Sequence, residues 1–324
     1  MPRRGPVALS LALVLSFGAC AAQVTDPPPS EPDAGSATTQ AAAAPARCPH
    51  FTNGERVGQV GDPDLAEISG LAASRRNPGV LWVHEDSGNP ADLVALGTDG
   101  AVAARFRLAG VSARDWEDVA VGLGPDSATS YVYLGDIGDN LGDQASFRVV
   151  RVPEPKVDPA RASAARTELG GAVTLAGRYP DGSHDAETLL SDPRSGDLFV
   201  VTKSDKGRSG VYRWPAPQAP NATTVLEAVA TVDVNGLDGA MDRRVTAGDI
   251  SPDGAAVLLR TYTNAWMWRR GGDESVADAL AGDPCPVPLQ FERQGEAIGW
   301  DAAGDAYFST TEGARPPILR YGRE

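Results

Sequence analysis

Glutamates open three copies of a phrase that recurs along this chain, Glu117 in DWEDVAV, Glu187 in DAETLL and Glu296 in GEAIGW. Asp115, Asp118, Asp185 and Asp249 stand within two positions of such openings. Carboxylates brought this close repel one another and hold their protons unless positive charge lies among them. The pattern therefore calls for a divalent cation or for Lys and Arg side chains. Further polar groups follow the next segment of each copy: His84 to Asn89 (HEDSGN), Gly135 to Asn140 (GDIGDN), Lys203 with Asp205, Arg260 with Tyr262, and Glu312. Asp and Asn oxygens beside Lys203, Arg260 and Tyr262 suit Ca²⁺ together with an anionic ligand bridging to it. His184-Asp185-Ala186-Glu187 invites a catalytic reading, with the imidazole as proton shuttle and Glu187 as base. The competing reading is structural, with these Asp and Asn side chains satisfying loop N–H groups and His184 capping the loop. Zinc does not fit, because His50, His84 and His184 are far apart in sequence and no Cys/His ligand spacing occurs. A serine nucleophile lacks its G-x-S-x-G elbow.

The elements that must position these groups come from the repeat itself. Each copy runs from a carboxylate or small residue through an apolar strand and a short turn, often with Asp and Gly, to a second apolar strand. The copies begin at Ser69, Glu117, Glu187, Gly248 and Glu296, so their starts lie 48, 70, 61 and 48 residues apart. That period fits four-stranded propeller blades. The expectation is an all-β propeller of five blades, with six as the alternative because the unit from Glu117 is long. Only 28 residues follow Glu296, enough for three strands, so the run Arg56 to Gly61 before the first repeat is expected to close the ring. In a propeller the first strand of each blade lines the central channel, and the opening residues then face one another at its mouth. A short helix is expected over Asp273 to Leu280, an Ala/Arg-rich excursion over Asp158 to Gly171, and outer strands over Val225 to Val234 and Val287 to Phe291.

The N-terminus speaks to location. Arg3 and Arg4, an apolar run from Val7 to Phe17 and small residues up to Cys20 form the regions of an export signal, too short to stay as a membrane span. Phe17-Gly18-Ala19-Cys20 is similar to a bacterial lipobox, with Phe where Leu is usual. Residues 1–19 are read as signal peptide and Cys20 as a lipidated first residue, which anchors the protein to the bacterial cell membrane. Cleavage at Ala19 or Ala22 and simple secretion is the alternative. From there to Arg47 the chain is Pro, Ala, Ser, Thr and acidic residues, a composition that builds no core and serves as a tether, leaving residues 48–324 as the single domain.

Formal charge is −14, and −16 once Arg3 and Arg4 are removed. Such a body excludes nucleic acid as a partner and leaves the membrane only the lipid anchor as its hold. With Cys20 lipidated, Cys48 and Cys285 are the remaining thiols, expected to pair in an exported protein; two free buried cysteines are the alternative.

ISGLAAS, LWVHEDSGN, DWEDVAV, YLGDIGDN, DAETLL and GEAIGW together resemble exported bacterial propellers grouped as phytase-like, or "esterase-like activity of phytase", over roughly Glu67 to the C-terminus. The better-known β-propeller phytases use calcium clustered at one channel mouth to bind phosphate and activate water. The resemblance implies calcium as cofactor, with Asp86, Glu117, Asp118, Asp136 and Glu296 as ligands, Glu187 as ligand or base, and Lys203 and Arg260 as phosphate contacts. Five repeats where those enzymes have six, and no dense basic set, argue against phytate itself. Two functions follow as expectations: a calcium-dependent phosphoester hydrolase, or a monomeric surface propeller with structural calcium that binds an anionic small molecule or a surface protein. A glycosidase is a third, less suited because only Trp116 lies near the carboxylates to stack a sugar.

Overall fold

Strands that line a propeller channel are covered by neighbours on both faces, so they carry apolar or small residues at nearly every position rather than alternating. Ile68–Ala73, Ala186–Ser191 and Val245–Ile250 are buried throughout. The computed structural model describes residues 48–324 except 127, 159–162 and 164. The segments read as signal peptide and tether, with Cys20, lie outside the described residues, as does part of the excursion expected at 158–171.

A lone strand, β1 (Glu55–Gln59), comes first. Blade one is β2 (Ile68–Ala73), β3 (Val80–Glu85), β4 (Asp92–Gly97) and β5 (Val102–Leu108). Blade two starts with β6 (Trp116–Leu123), β7 (Ser130–Asp136) and β8 (Phe147–Pro153). The chain then leaves to lay β9 (Arg166–Leu169) parallel to β5 on blade one, and returns as β10 (Val173–Arg178) to complete blade two. Blade three is β11 (Ala186–Ser191), β12 (Leu198–Thr202) and β13 (Arg208–Trp214), then β14 (Thr223–Val225) pairs back onto β10 before β15 (Glu227–Asp233) finishes the blade. Blade four is β16 (Val245–Ile250), β17 (Ala256–Thr261) and β18 (Ala265–Arg269), a helix α1 (Val276–Ala281), and β19 (Cys285–Val287). Blade five is β20 (Ala297–Trp300), β21 (Ala306–Thr310) and β22 (Pro317–Gly322), closed by β1.

Five blades and the N-terminal closing strand are thus as the repeat implies. Three details differ. The excursion between the third and fourth strands of blade two contains a strand, held by Arg166, whose guanidinium pairs with Asp92 at 2.7 Å. The segment beginning at Val225 is divided, with Val225 on blade two and the blade-three strand starting at Glu227. The outer strand of blade four ends at Val287, because Pro288 has no N–H to extend the ladder, and Phe291 is left exposed.

Five apolar clusters fill the joints between successive blades. Trp82 and Trp116 pack between blades one and two, Tyr133 and Trp214 between two and three, and Trp266 and Val232 between three and four. Met267 and Trp300 pack between four and five, and Leu71 and Phe308 between five and one, so the ring closes on itself. The helix is capped by Ser275 and sets Val276 and Leu280 into the three–four joint. Inner strands approach so closely that a Cβ on Gly299 would sit 2.6 Å from the Leu71 carbonyl of the next blade, which demands glycine there.

The domain carries its own closure. β1 pairs antiparallel with β22, Phe51 bridges Arg323, and Cys48 is bonded to Cys285 at the start of β19, across 237 residues of sequence. Linking residues that far apart restricts the unfolded chain strongly. Replacing both Cys48 and Cys285 by Ser is expected to lower unfolding free energy by about 2–5 kcal/mol. Urea denaturation, with the wild type in reductant as a second arm, reads this; equal midpoints would mean that β1 alone holds the ring.

Candidate functional site

Each of the first four inner strands carries a β-bulge near the channel mouth, where two residues stand against one on the second strand. A bulge re-aims a side chain that the regular pleat would bury in a blade joint. The extra residues are Ser69, Glu117, Glu187 and Thr246, and Glu296 holds the same place just before β20. Ser69 and Thr246 turn their hydroxyls to the next blade, donating to the Glu117 carbonyl at 2.7 Å and the Gly295 carbonyl at 3.0 Å. The remaining three positions are the three glutamates. In blade four the position equivalent to them is therefore Thr246, not Gly248.

Around Glu117 the carboxylates converge. Ligand oxygens of Asp86, Asp115 and Glu117 lie within 4.8 Å of one another, although the first belongs to blade one and the others to blade two. Burial, and then the charges of Glu187, Asp86, Asp115 and Asp185, push the Glu117 carboxyl up to about 11. Burial pushes Asp86 up to about 6, with Glu296 and Asp115 adding to it, and raises Asp115 with help from Asp185. On the far side, Tyr262 donates to Glu296 at 3.1 Å, and burial with Glu296 pushes Glu312 up to about 8.

Lys203 is hydrogen-bonded to Glu187 and lies 5.7 Å from the centre of the Tyr262 ring. Burial works to lower the Lys203 pKa, but Glu187 outweighs it and the ammonium holds its proton. Glu187 is itself pushed up to about 8, chiefly by burial, which exceeds what Lys203 takes back. Its other oxygen, Oε2, is buried with no hydrogen-bond partner among the described residues.

Asp86, Glu117, Glu187, Glu296, Lys203 and Tyr262 are thus brought to one mouth, and the other expected site residues are not. Asp118 is fully buried and accepts the N–H groups of Val119 at 2.8 Å and Leu189 at 2.9 Å, stitching blade two to blade three. Asp249 does the same for Ile250 and Trp300 between blades four and five. Asp136 accepts the Asp115 N–H at 2.9 Å and pairs with Arg148, so it supports a mouth residue from behind. Arg260 is fully buried, with Nη1 2.7 Å from Glu292, and is a structural cation rather than an anion contact. His184 is bonded to Asp181 at 3.0 Å and Tyr212 at 2.9 Å, against the Tyr179 ring, and makes no hydrogen bond to Glu187. The buried His84 has its pKa lowered to about 4 by desolvation and stays neutral.

Asp115 and Asp185 belong to the site more fully than the sequence reading allowed. Both precede a bulge glutamate by two residues, in DWED and DAET, and that repeated D-x-E is the signal that could have singled them out. Nothing local pointed to Gly138. Its backbone lies against Glu117 and Asp115, and a Cβ there would fall on their carboxylate oxygens, filling the cradle they form. Hard carboxylate oxygens, no sulfur or imidazole in the cluster, and a cradle kept open by glycine fit calcium or magnesium.

No family model matches the chain, and no curated protein matches it, so the phytase-like resemblance rests on the quoted motifs alone. Among solved structures, the crystal structure of RRP9 WD40 repeats is similar at 10% identity and a TM-score of 0.42, covering 85% of this chain and 100% of that one. The likeness is too distant to carry an argument about chemistry.

Proposed function

We propose that this protein is an exported, membrane-tethered propeller whose channel mouth binds calcium and hydrolyses phosphate esters. The observation that carries the reading is the cluster of Asp86, Asp115 and Glu117 within 4.8 Å, set beside the Glu187–Lys203 pair. Asp86, Asp115 and Glu117 would hold the ion. When bound, calcium supplies positive charge against which the phosphate and the attacking water are polarised. Lys203 Nζ draws a phosphate oxygen toward blade three, and Tyr262 keeps Glu296 from turning into the ester. Glu187 Oε2 takes the proton of the water whose oxygen forms the new P–O bond, while the ester P–O bond breaks and the leaving alcohol is protonated from solvent. With its pKa at about 8, Glu187 must give up its proton before it can act as base, so turnover is expected to rise with pH toward 8.

Burial of Arg260 favours a second reading, a binding propeller with structural calcium, because it removes one of the two expected phosphate contacts. Glu187→Gln separates the two. With p-nitrophenyl phosphate and calcium, the wild type is expected to turn over, EDTA to stop it, and the variant to lose at least about 100-fold in kcat while keeping its calcium affinity. Calcium binding without turnover in the wild type would establish the binding propeller, and Gly138→Val should abolish calcium binding under either reading.

A further inference from the structure

Among the described residues four large apolar side chains stand exposed: Leu141 (86%), Met241 (75%), Phe291 (76%) and Val225 (41%). Val225 lies on the outer edge of blade two. The other three share the face of the mouth. Leu141 is in the β7–β8 turn, where Gly138 lies against Glu117 and the Asp139 N–H donates to Asp185 at 2.8 Å. Met241 is in the connection entering β16, and its N–H donates to Asn264 of the β17–β18 turn at 3.2 Å. Phe291 is in the connection entering β20, on the outer part of that face, between Gln290, which donates to the Gly54 carbonyl before β1 at 2.8 Å, and Gln294, which donates to Glu312 at 2.6 Å. Single exposed apolar residues are ordinary, but three of these four stand on one face, in the connections at the mouth end of blades two, four and five.

We propose that this face seats on a phospholipid bilayer, with Leu141, Met241 and Phe291 entering the boundary between headgroups and acyl chains. Exposed Arg243 and Arg293, each two residues beyond an apolar tip, then meet lipid phosphates. The substrate follows, resting on the phosphoester reading above: a phosphoester borne by a lipid headgroup, delivered to the mouth by the contact.

Two arguments select a bilayer over a folded partner. The tips are separated by the carboxylate-lined hollow, and a rigid protein pressed against all three would have to seal that hollow from water and strip its carboxylates of hydration. Headgroups are soft and hydrated, and leave the hollow wet. The second argument is the chain itself. Residues 20–47, between the expected lipidated cysteine and the disulfide, would cover roughly 90–100 Å fully extended, long enough for either face of the domain to meet the membrane the anchor selects. Since the body is acidic, the contact is apolar in kind and is expected on zwitterionic lipid and in high salt.

Sedimentation of residues 48–324, which close their own ring, with phosphatidylcholine vesicles tests this. The wild type is expected to pellet with vesicles, and the triple variant Leu141→Ser, Met241→Ser, Phe291→Ser to partition at least about tenfold less at an unchanged melting temperature. The six native tryptophans are all buried, so Phe291→Trp gives a new emission that brominated lipid should quench. No pelleting by the wild type with or without calcium, equal pelleting by the triple variant, or no quenching would each overturn the proposal. A wild-type dimer that the triple variant loses, without vesicle binding, would reassign the tips to protein contact. Hydrolysis of p-nitrophenyl phosphate is read without vesicles, so it can stand or fall separately.

Discussion

Arg260→Ala is expected to lower unfolding free energy by about 3–5 kcal/mol, the cost of leaving a buried charge without its partner. The Arg260 guanidinium donates to Glu292 at 2.7 Å, to the Ala297 carbonyl at 3.0 Å and to the Thr261 carbonyl at 3.1 Å, tying β17 of blade four to the head of β20 in blade five. Glu292 is buried and also accepts Ser309 Oγ at 2.8 Å. Burial already raises the Glu292 pKa against the pull of Arg260, so removal of the cation raises it further. Acids with folded pKa values above the unfolded one stabilise most while protonated. The loss in Arg260→Ala should therefore be smaller at pH 5 than at pH 7.5. Urea unfolding at the two pH values measures it, and the double variant Arg260→Met, Glu292→Met should lose less than the single losses summed. If Arg260 were instead a substrate contact, the single variant would keep its midpoint and lose only affinity.

That residue marks where sequence reading stopped. Blade number and closing strand were legible because each inner strand carries the same apolar phrase and the last repeat runs out of chain. The pairing of Cys48 with Cys285, seen in the structure, followed from their being the two thiols left in a chain read as exported with Cys20 lipidated. Which carboxylates meet was only partly legible. Glu117 and Asp118 are adjacent, yet the bulge sends Glu117 to the channel and leaves Asp118 to bind Leu189 of the next blade. An extra residue in a ladder has no period of its own, so a single sequence does not distinguish the two. Arg260 misled for a related reason. It is the last residue but one of a second strand at the mouth, and Lys203 directly follows another, but its partner Glu292 comes from the long connection after β19, which has no regular pattern to place it. The parallel strands β9 and β14 are not legible in the sequence because each is short and pairs outside the blade its neighbours in sequence build, as Arg166 does with Asp92.

Without metal, melting temperature is expected to fall between pH 5 and pH 8, and calcium is expected to reverse the fall. The mouth carboxyls bind their protons more tightly folded than unfolded, at about 6 for Asp86, about 8 for Glu187 and Glu312, and about 11 for Glu117. For such groups the folded state holds more protons, so stability is full below the unfolded carboxyl pKa and is lost as pH rises through the folded values. The buried Glu117 and Glu187 supply most of this loss and the half-exposed Asp86 and Glu312 less, so the metal-free domain should lose several kcal/mol across that interval. Calcium competes with those protons for the same oxygens. At pH 8 a free concentration a thousandfold above Kd adds about 4 kcal/mol, or roughly 8 °C for a domain of this size. At pH 5 the carboxyls keep their protons and calcium should shift little. The double variant Asp115→Asn, Glu117→Gln removes two charges from the cradle, so both the pH decline and the calcium response should shrink together. A flat, calcium-insensitive melting temperature in the wild type from pH 5 to pH 8 would falsify the ion site, since it would mean that water and Lys203 already neutralise the mouth.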